Sequence, residues 1–205
     1  AVAVLFAREG ADVAIVYLSE DRDAQVTKQA VEAEGRRCVT LRGDVAKRAF
    51  CRKAVQQAVK AFGRLDVLVN NAAFQVHSAE FEDLTEAHFD TTLKTNLYGY
   101  FHMAQEAVPH MKPGSAIVNT GSITGIDGSK ELIGYSMTKP ASTSGRCPLT
   151  SSPTAFVSTR SRLVRCGRRS TRHSKKRTSP SSAKTPMKRT AQPDEIAPAY
   201  VLLAL

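Results

Sequence analysis

The feature that most restricts this chain is an alternation of helix-like and strand-like segments. Ala1–Glu9 is apolar at helical spacing and stops at Gly10, and Val13–Tyr17 is a short β-branched run suited to a buried strand. Asp21–Glu34 reads as an amphipathic helix ending at Gly35, Cys38–Leu41 as a strand, and Ala46–Phe62 as a helix closed by Gly63. Val67–Val69 is strand-like, Thr85–Met111 reads as one long helix ending before Pro113-Gly114, and Ala116–Asn119 is a further strand. Such an order predicts an α/β fold, a parallel sheet with helices on both faces. Right-handed crossovers bring the loops after the strands to one edge, where ligands bind in sheets of this kind. The residues to inspect are therefore Asp44-Val45, Asn70 to Ala73, and Ser122.

The chain has 205 residues and a formal net charge of +10, and the charge is unevenly spread. Residues 1–139 hold 16 Lys/Arg against 17 Asp/Glu, whereas residues 140–205 hold 13 against 2. The basicity belongs to one segment, rich in Ser, Thr and Arg and without sustained helical or alternating period. Such a segment also fits a solvated basic insert that binds polyanions without specificity. Phe156 alone among aromatics interleaves its arginines, which disfavours a stacking-based single-strand reader. Cys38, Cys51, Cys147 and Cys166 lack metal-ligand spacing and are expected as free thiols. With no apolar run of membrane-span length and no charged-then-apolar leader, the reading is cytoplasmic.

Tyr135-Ser136-Met137-Thr138-Lys139 carries the chemistry. On a helix Tyr135 and Lys139 share a face. A free phenol titrates near 10, too high for easy proton exchange at neutral pH, and an adjacent ammonium favours the phenolate. By itself the pair also fits an amphipathic tyrosine beside a solvated lysine. Ser122, after a strand and thirteen residues before Tyr135, supplies a hydroxyl for a substrate oxygen. Asn96 lies inside the long helical run, where asparagine is a poor residue; either it has a special partner or it is an exposed helical position.

Taken in order, Asn70-Asn71-Ala72-Ala73, Asn96, Ser122 and Tyr135-x-x-x-Lys139 resemble the signature of the short-chain dehydrogenase/reductase family. The resemblance covers residues 1–139 and returns at about 185–205. It implies a Rossmann-type doubly wound parallel sheet and hydride transfer between NAD(P)(H) and a carbonyl or secondary alcohol. It makes Tyr135 the general acid or base, and Lys139 the group that lowers the Tyr135 pKa and binds the nicotinamide ribose. Ser122 would orient the substrate oxygen, and Asn96 would hold a water in a proton relay. Asn70 and Ala72 would line the cofactor cleft, with Asp44 and Val45 near the adenine ring. Ala73 stands where the family often has glycine. Many relatives are tetramers joined through the long helices.

In Rossmann folds an acid after the second strand selects NAD. Here Tyr17-Leu18-Ser19 occupies that place, with no acid and no obvious arginine, so the expectation is NADP, with Ser19 a phosphate contact and NAD the alternative. Val76, His77 and Ile126–Ile133 are candidate pocket residues, and His77 is expected to be solvated.

Relative to the family the sequence lacks the first strand with its glycine-rich turn and the last strand. One incomplete domain is expected: 1–139 well patterned, 140–184 basic and either disordered or out of frame, and 185–205 a returning C-terminal helix opened by Asp194-Glu195. One permitted choice of codons for Phe156–His173, selected for the purpose and read in another frame, gives RVNAVAPGPVWTPLNPA, a strand-like run followed by a Pro-Gly loop. The same shift over Arg177–Ala183, with suitable codons, gives DVAEFG. The expectation is a pair of compensating frame shifts near 140 and 184. The alternatives to an oxidoreductase are an inactive remnant of one and a basic-tail polyanion-binding protein.

Overall fold

The computed structural model describes residues 1–143, 155–158 and 192–204. Helix α1 (Val2–Arg8) leads into strand β1 (Val13–Tyr17), α2 (Asp21–Ala33) into β2 (Cys38–Arg42), and α3 (Arg48–Phe62) into β3 (Val67–Asn70). After a 3-10 turn at Phe81–Asp83 come α4 (Glu86–Leu93), a π-helical turn (Lys94–Tyr98) and α5 (Gly99–Ala107), then β4 (Ala116–Asn119). The single turn α6 (Thr124–Asp127) precedes α7 (Ile133–Thr143), β5 (Ala155–Ser158) and α8 (Pro193–Leu202).

Local chemistry accounts for these boundaries. Asp21 and Asp23 sit in the first turn of α2, where the helix dipole favours negative charge. Helix α3 ends on Gly63, which takes the left-handed conformation (φ 79°) and returns its N–H to the Val59 carbonyl. Thr85 caps α4 by accepting from the His88 N–H. Helix α8 opens with Pro193 in its first turn and a reciprocal Gln192/Glu195 capping box.

Among the described residues all strand pairing is parallel, as expected. β1 pairs with β2 from Val13↔Cys38 to Tyr17↔Arg42. β3 pairs with β4 from Val67↔Ala116 to Asn70↔Asn119, and β4 with β5 from Ala116↔Ala155 to Asn119↔Ser158. The strands fall into two blocks, β1-β2 and β3-β4-β5, and among the described residues no strand joins them. In the doubly wound order 3-2-1-4-5 the place between these blocks is that of the first strand. Burial follows: Ala116, Ile117 and Val118 of the central β4 are buried, whereas every residue of β1 is only half-buried.

One core cluster joins α3, α5, β3 and β4 through Cys51, Val55, Leu68, Met103, Ala107 and Ile117. A second joins α1, α2 and β2 through Ala7, Val31 and Cys38. Helix α8 packs on α1 and buries Ala197 and Tyr200. Cys38 and Cys51 are free and buried, as expected; Cys147 and Cys166 lie outside the described residues. Among the described residues no helix is long and apolar enough to cross a membrane, and no cluster of metal-ligating side chains occurs.

Three sequence expectations need correction. Thr85–Met111 is not one helix: it is broken by the π-helical turn, marked by the Gly99 N–H bonding to the Lys94 carbonyl, and ends in a 3-10 turn at Val108–His110. Helix α7 runs on to Thr143, past the compositional break at 140, and packs on α4 and α6. Strand β5 lies within the segment read as lacking a period; four residues are too few for periodicity to register.

Candidate active site

Strands β3 and β4 end side by side, and their last residues build the floor of the site. The Asn70 amide donates to the Asn119 side-chain carbonyl at 2.9 Å, and the Thr120 N–H donates to the Asn70 carbonyl at 2.9 Å. Thr120 then binds in three directions. Its hydroxyl donates to Asn71 Oδ1 (3.1 Å) and shares a hydrogen bond with the Tyr200 hydroxyl (2.8 Å), while its carbonyl accepts from Lys139 Nζ at 3.1 Å. Tyr200 also donates to Asn71 Oδ1 at 3.4 Å, which brings α8 to the same edge. Ala72 and Ala73 follow in an exposed loop whose small side chains leave the backbone open to approach.

Helix α7 delivers Tyr135 and Lys139 to this edge. Lys139 is 0% exposed, against the reading of a solvated lysine. Its ammonium lies 5.2 Å from the Tyr135 ring centroid and 5.3 Å from that of Tyr100, with Tyr100 Oη accepting at 3.4 Å. Burial pushes the Lys139 pKa down to about 8. At neutral pH a lysine of that pKa is mainly the ammonium. Ser122 sits two residues beyond Thr120, where its hydroxyl is hydrogen-bonded with Thr124 Oγ1 (2.9 Å) and accepts from the Thr124 N–H (3.3 Å).

Asn96 is 0% exposed, which overturns the exposed-helix alternative. Its Oδ1 accepts from the Phe74 N–H at 2.7 Å, and its Nδ2 donates to the Phe74 carbonyl (3.0 Å) and to Thr138 Oγ1 (3.0 Å). Asn96 thus ties the loop after β3 to helix α7 one residue before Lys139. Widening of the helix at Lys94–Tyr98 accompanies this inward-turned amide.

Asp44 and Val45 lie beyond the end of β2 with local duties. Asp44 Oδ1 accepts from the Ala46 N–H at 2.9 Å, turning the chain toward α3. Val45 backs directly onto Gly99, and its carbonyl accepts from the Cys51 thiol at 3.1 Å. His77 is exposed and faces Glu131 at 3.4 Å. At the end of β1, Tyr17 donates to Asp21 Oδ1 at 2.8 Å, an interaction that raises its pKa.

Four residues at this edge escaped the sequence reading: Thr120, Tyr100, Tyr200 and Arg42. Arg42 faces Tyr17 across the β1–β2 register, pairs with Asp21 at 3.2 Å and donates to the Leu18 carbonyl at 3.4 Å. An arginine does therefore stand beside Tyr17-Leu18-Ser19, supplied by the neighbouring strand. Parallel pairing of β1 with β2 was the signal that could have found it.

Residues 1–145 match the family model described as enoyl-(acyl carrier protein) reductase. The uncharacterized oxidoreductase YhdF of Bacillus subtilis is 41% identical over 209 residues, covering 100% of this chain and 72% of that protein. The chain belongs to the short-chain dehydrogenase/reductase family. A second Bacillus subtilis relative, the uncharacterized oxidoreductase YhxC, is 49% identical over 141 residues, 69% of this chain and 50% of that protein. Thus the chain spans about half the length of the first of its curated relatives. Among solved structures, a short-chain dehydrogenase from Burkholderia cenocepacia in complex with NADP superimposes with a TM-score of 0.66 at 35% identity, over 68% of this chain and 57% of that one.

Proposed function

We propose that the protein is an NAD(P)-dependent oxidoreductase acting on a carbonyl or secondary alcohol, with Tyr135 as its proton-transfer group. One observation carries this reading: a buried ammonium, Lys139, lies against the Tyr135 ring at the carboxyl edge of the parallel strands. The donor set suits a nicotinamide riboside. Lys139 and the amide and hydroxyl groups of Asn71 and Thr120 are matched to ribose hydroxyls and a carboxamide, and the exposed Ala72–Ala73 backbone admits a flat ring. Asn70, Asp44 and Val45 are the further cofactor-side residues of this proposal, shaping the edge from behind. When bound, the nicotinamide supplies or accepts the hydride.

The chain's own residues handle the proton. In reduction Tyr135 gives its phenolic proton to the carbonyl oxygen as that oxygen gains charge; in oxidation the phenolate takes the alcohol proton back. Lys139 favours the phenolate by its charge. Ser122 donates a hydrogen bond to the reacting oxygen and stabilises its developing charge. Asn96 acts from one step further away, holding the loop after β3 and the Lys139 turn in register, with the relay water of the family reading as its partner.

NADP is the favoured dinucleotide. No acid follows β1 at Tyr17-Leu18-Ser19, and Arg42 with Ser19 offers a charged and a hydroxyl contact to a ribose phosphate, although Asp21 shares the Arg42 charge. The NADP complex of the Burkholderia cenocepacia relative supports the same choice. A homo-oligomer, a tetramer by family resemblance, is supported by Tyr98 and Phe101, large apolar side chains exposed on the helical unit around Asn96. Light scattering on the purified protein reads this directly.

The deciding experiment follows NADPH and NADH oxidation by the purified protein with a panel of aldehydes, ketones and sugars. Turnover that falls by about 10²-fold or more in Tyr135→Phe is expected. Turnover undiminished in that variant removes the mechanism. A folded protein with neither turnover nor dinucleotide binding is the inactive remnant, and salt-sensitive retention on DNA is the polyanion-binding alternative.

A further inference from the structure

Lys139 is flanked by two phenols, and only one is assigned a task above. Tyr100, on α5, is 7% exposed, whereas Tyr135 is partly open. Tyr100 Oη accepts from Lys139 Nζ at 3.4 Å and donates to the Thr120 carbonyl at 3.5 Å, while the same carbonyl accepts from Lys139 at 3.1 Å. The three groups form a closed triangle, with the ammonium 5.3 Å from the Tyr100 ring centroid. Both rings lie within the range at which a desolvated cation is held by a ring face.

We propose that Tyr100 is a positioning residue of the proton-transfer site, whose hydroxyl and ring, with the Thr120 carbonyl, hold the Lys139 ammonium against Tyr135. The inference rests on the oxidoreductase reading for its consequence, not for its geometry. Among the described residues, titratable groups facing this ammonium include Tyr135 on its own helix and Tyr100 on α5; Tyr200 on α8 reaches the same Thr120 through its hydroxyl. Tyr100 is unsuited to exchange protons itself. Burial, and after it the charges of Tyr135 and Tyr200, raise its pKa far above the ordinary phenol range. It stays a neutral hydroxyl, able to accept from the ammonium and donate to the carbonyl at once. The two tyrosines thus divide the work by environment: one ring is locked and holds the charge, the other is accessible and uses it.

Tyr100→Phe tests this, because it removes one oxygen and keeps the ring. Two measurements are made on the protein and the variant. The first is the titration of Lys139 by NMR of isotopically labelled lysine side chains, the signal assigned by its loss in Lys139→Arg. The second is the pH profile of kcat/KM. With an acceptor lost, the charged form is disfavoured, and Lys139 is expected to release its proton about one unit lower, the equivalent of one hydrogen bond to a charged group. The alkaline limb of kcat/KM moves down with it. Tyr100→Leu, which strips the ring as well, lowers the Lys139 titration further. A Lys139 titration unmoved in both variants overturns the proposal, and so does one that moves while the alkaline limb stays. An unaltered protein with no turnover would sink the oxidoreductase reading and the proton-transfer role together. Normal turnover with Lys139 indifferent to Tyr100 sinks only the positioning role.

Discussion

At the residue scale the site is built around one buried charge, and its stability should show it. Lys139 titrates at about 8 in the folded protein, against 10.5 for an ordinary lysine. Between those values the unfolded chain binds more protons than the folded one, so stability rises with pH across that window. Below pH 8 the full penalty of burying the ammonium applies. Urea denaturation from pH 7 to 10.5 is therefore expected to show the protein gaining up to about 3 kcal/mol relative to Lys139→Met; a constant difference would mean that Lys139 is solvated. Asn96 offers a second test. Asn96→Ala removes three hydrogen bonds and strands the backbone of Phe74. A loss of about 2–3 kcal/mol by the same method is expected, and a loss near zero would show that water replaces the amide. The approach of Lys139 to Tyr135 was legible in the sequence, because residues four apart share a helix face. Thr120, Tyr100 and Tyr200 were not. Their bonds join positions 19, 39 and 80 apart, and no local pattern announces a contact made by tertiary docking.

At the element scale hydrophobic period gave the helices and strands, since an apolar stripe must face a core wherever the chain goes. It missed the break at Lys94–Tyr98 because one widened turn barely disturbs the stripe on either side. It also missed the tight joints between elements. Gly99 lets α5 approach Val45, and a Cβ there would stand 3.0 Å from Val45 Cγ2. Gly43, at the turn leaving β2, lies directly under the Phe50 ring, which an added Cβ would strike. Gly43 also donates its N–H to the Tyr17 carbonyl at 2.8 Å, so the turn cannot simply swing away. Gly43→Ala is expected to cost about 1–3 kcal/mol, the usual range for overpacking. Adding Phe50→Ala to Gly43→Ala should cost less than Phe50→Ala does alone in the parent. The thermal unfolding of the four proteins checks this, and strictly additive effects would place the strain elsewhere.

At the scale of the whole molecule, two kinds of sequence are joined. The family model matches residues 1–145, and the 49% identical YhxC aligns over 141 residues, whereas YhdF aligns across the whole chain at 41% identity. The charge changes at the same place, with 13 Lys/Arg against 2 Asp/Glu from residue 140 onward. Yet β5, at Ala155–Ser158, pairs with β4 in full parallel register, and α8 docks on α1. A strand therefore lies where the shifted reading of Phe156–His173 begins with a strand-like run, and a family helix follows where the frame would be restored. A genuine basic insert accounts for the charge. We propose instead two compensating frame shifts, which would account for the charge and for the codon choices that give family-like sequence in the neighbouring frame. The expected outcome of sequencing the coding DNA is one insertion or deletion near codon 140 and a compensating one near codon 184. Restoring the frame should then yield a less basic protein that unfolds at a higher temperature, because the shifted reading replaces polar and basic residues with apolar ones. A clean read in the present frame, or a restored protein no more stable than this one, would return the basic segment to its status as a real insert.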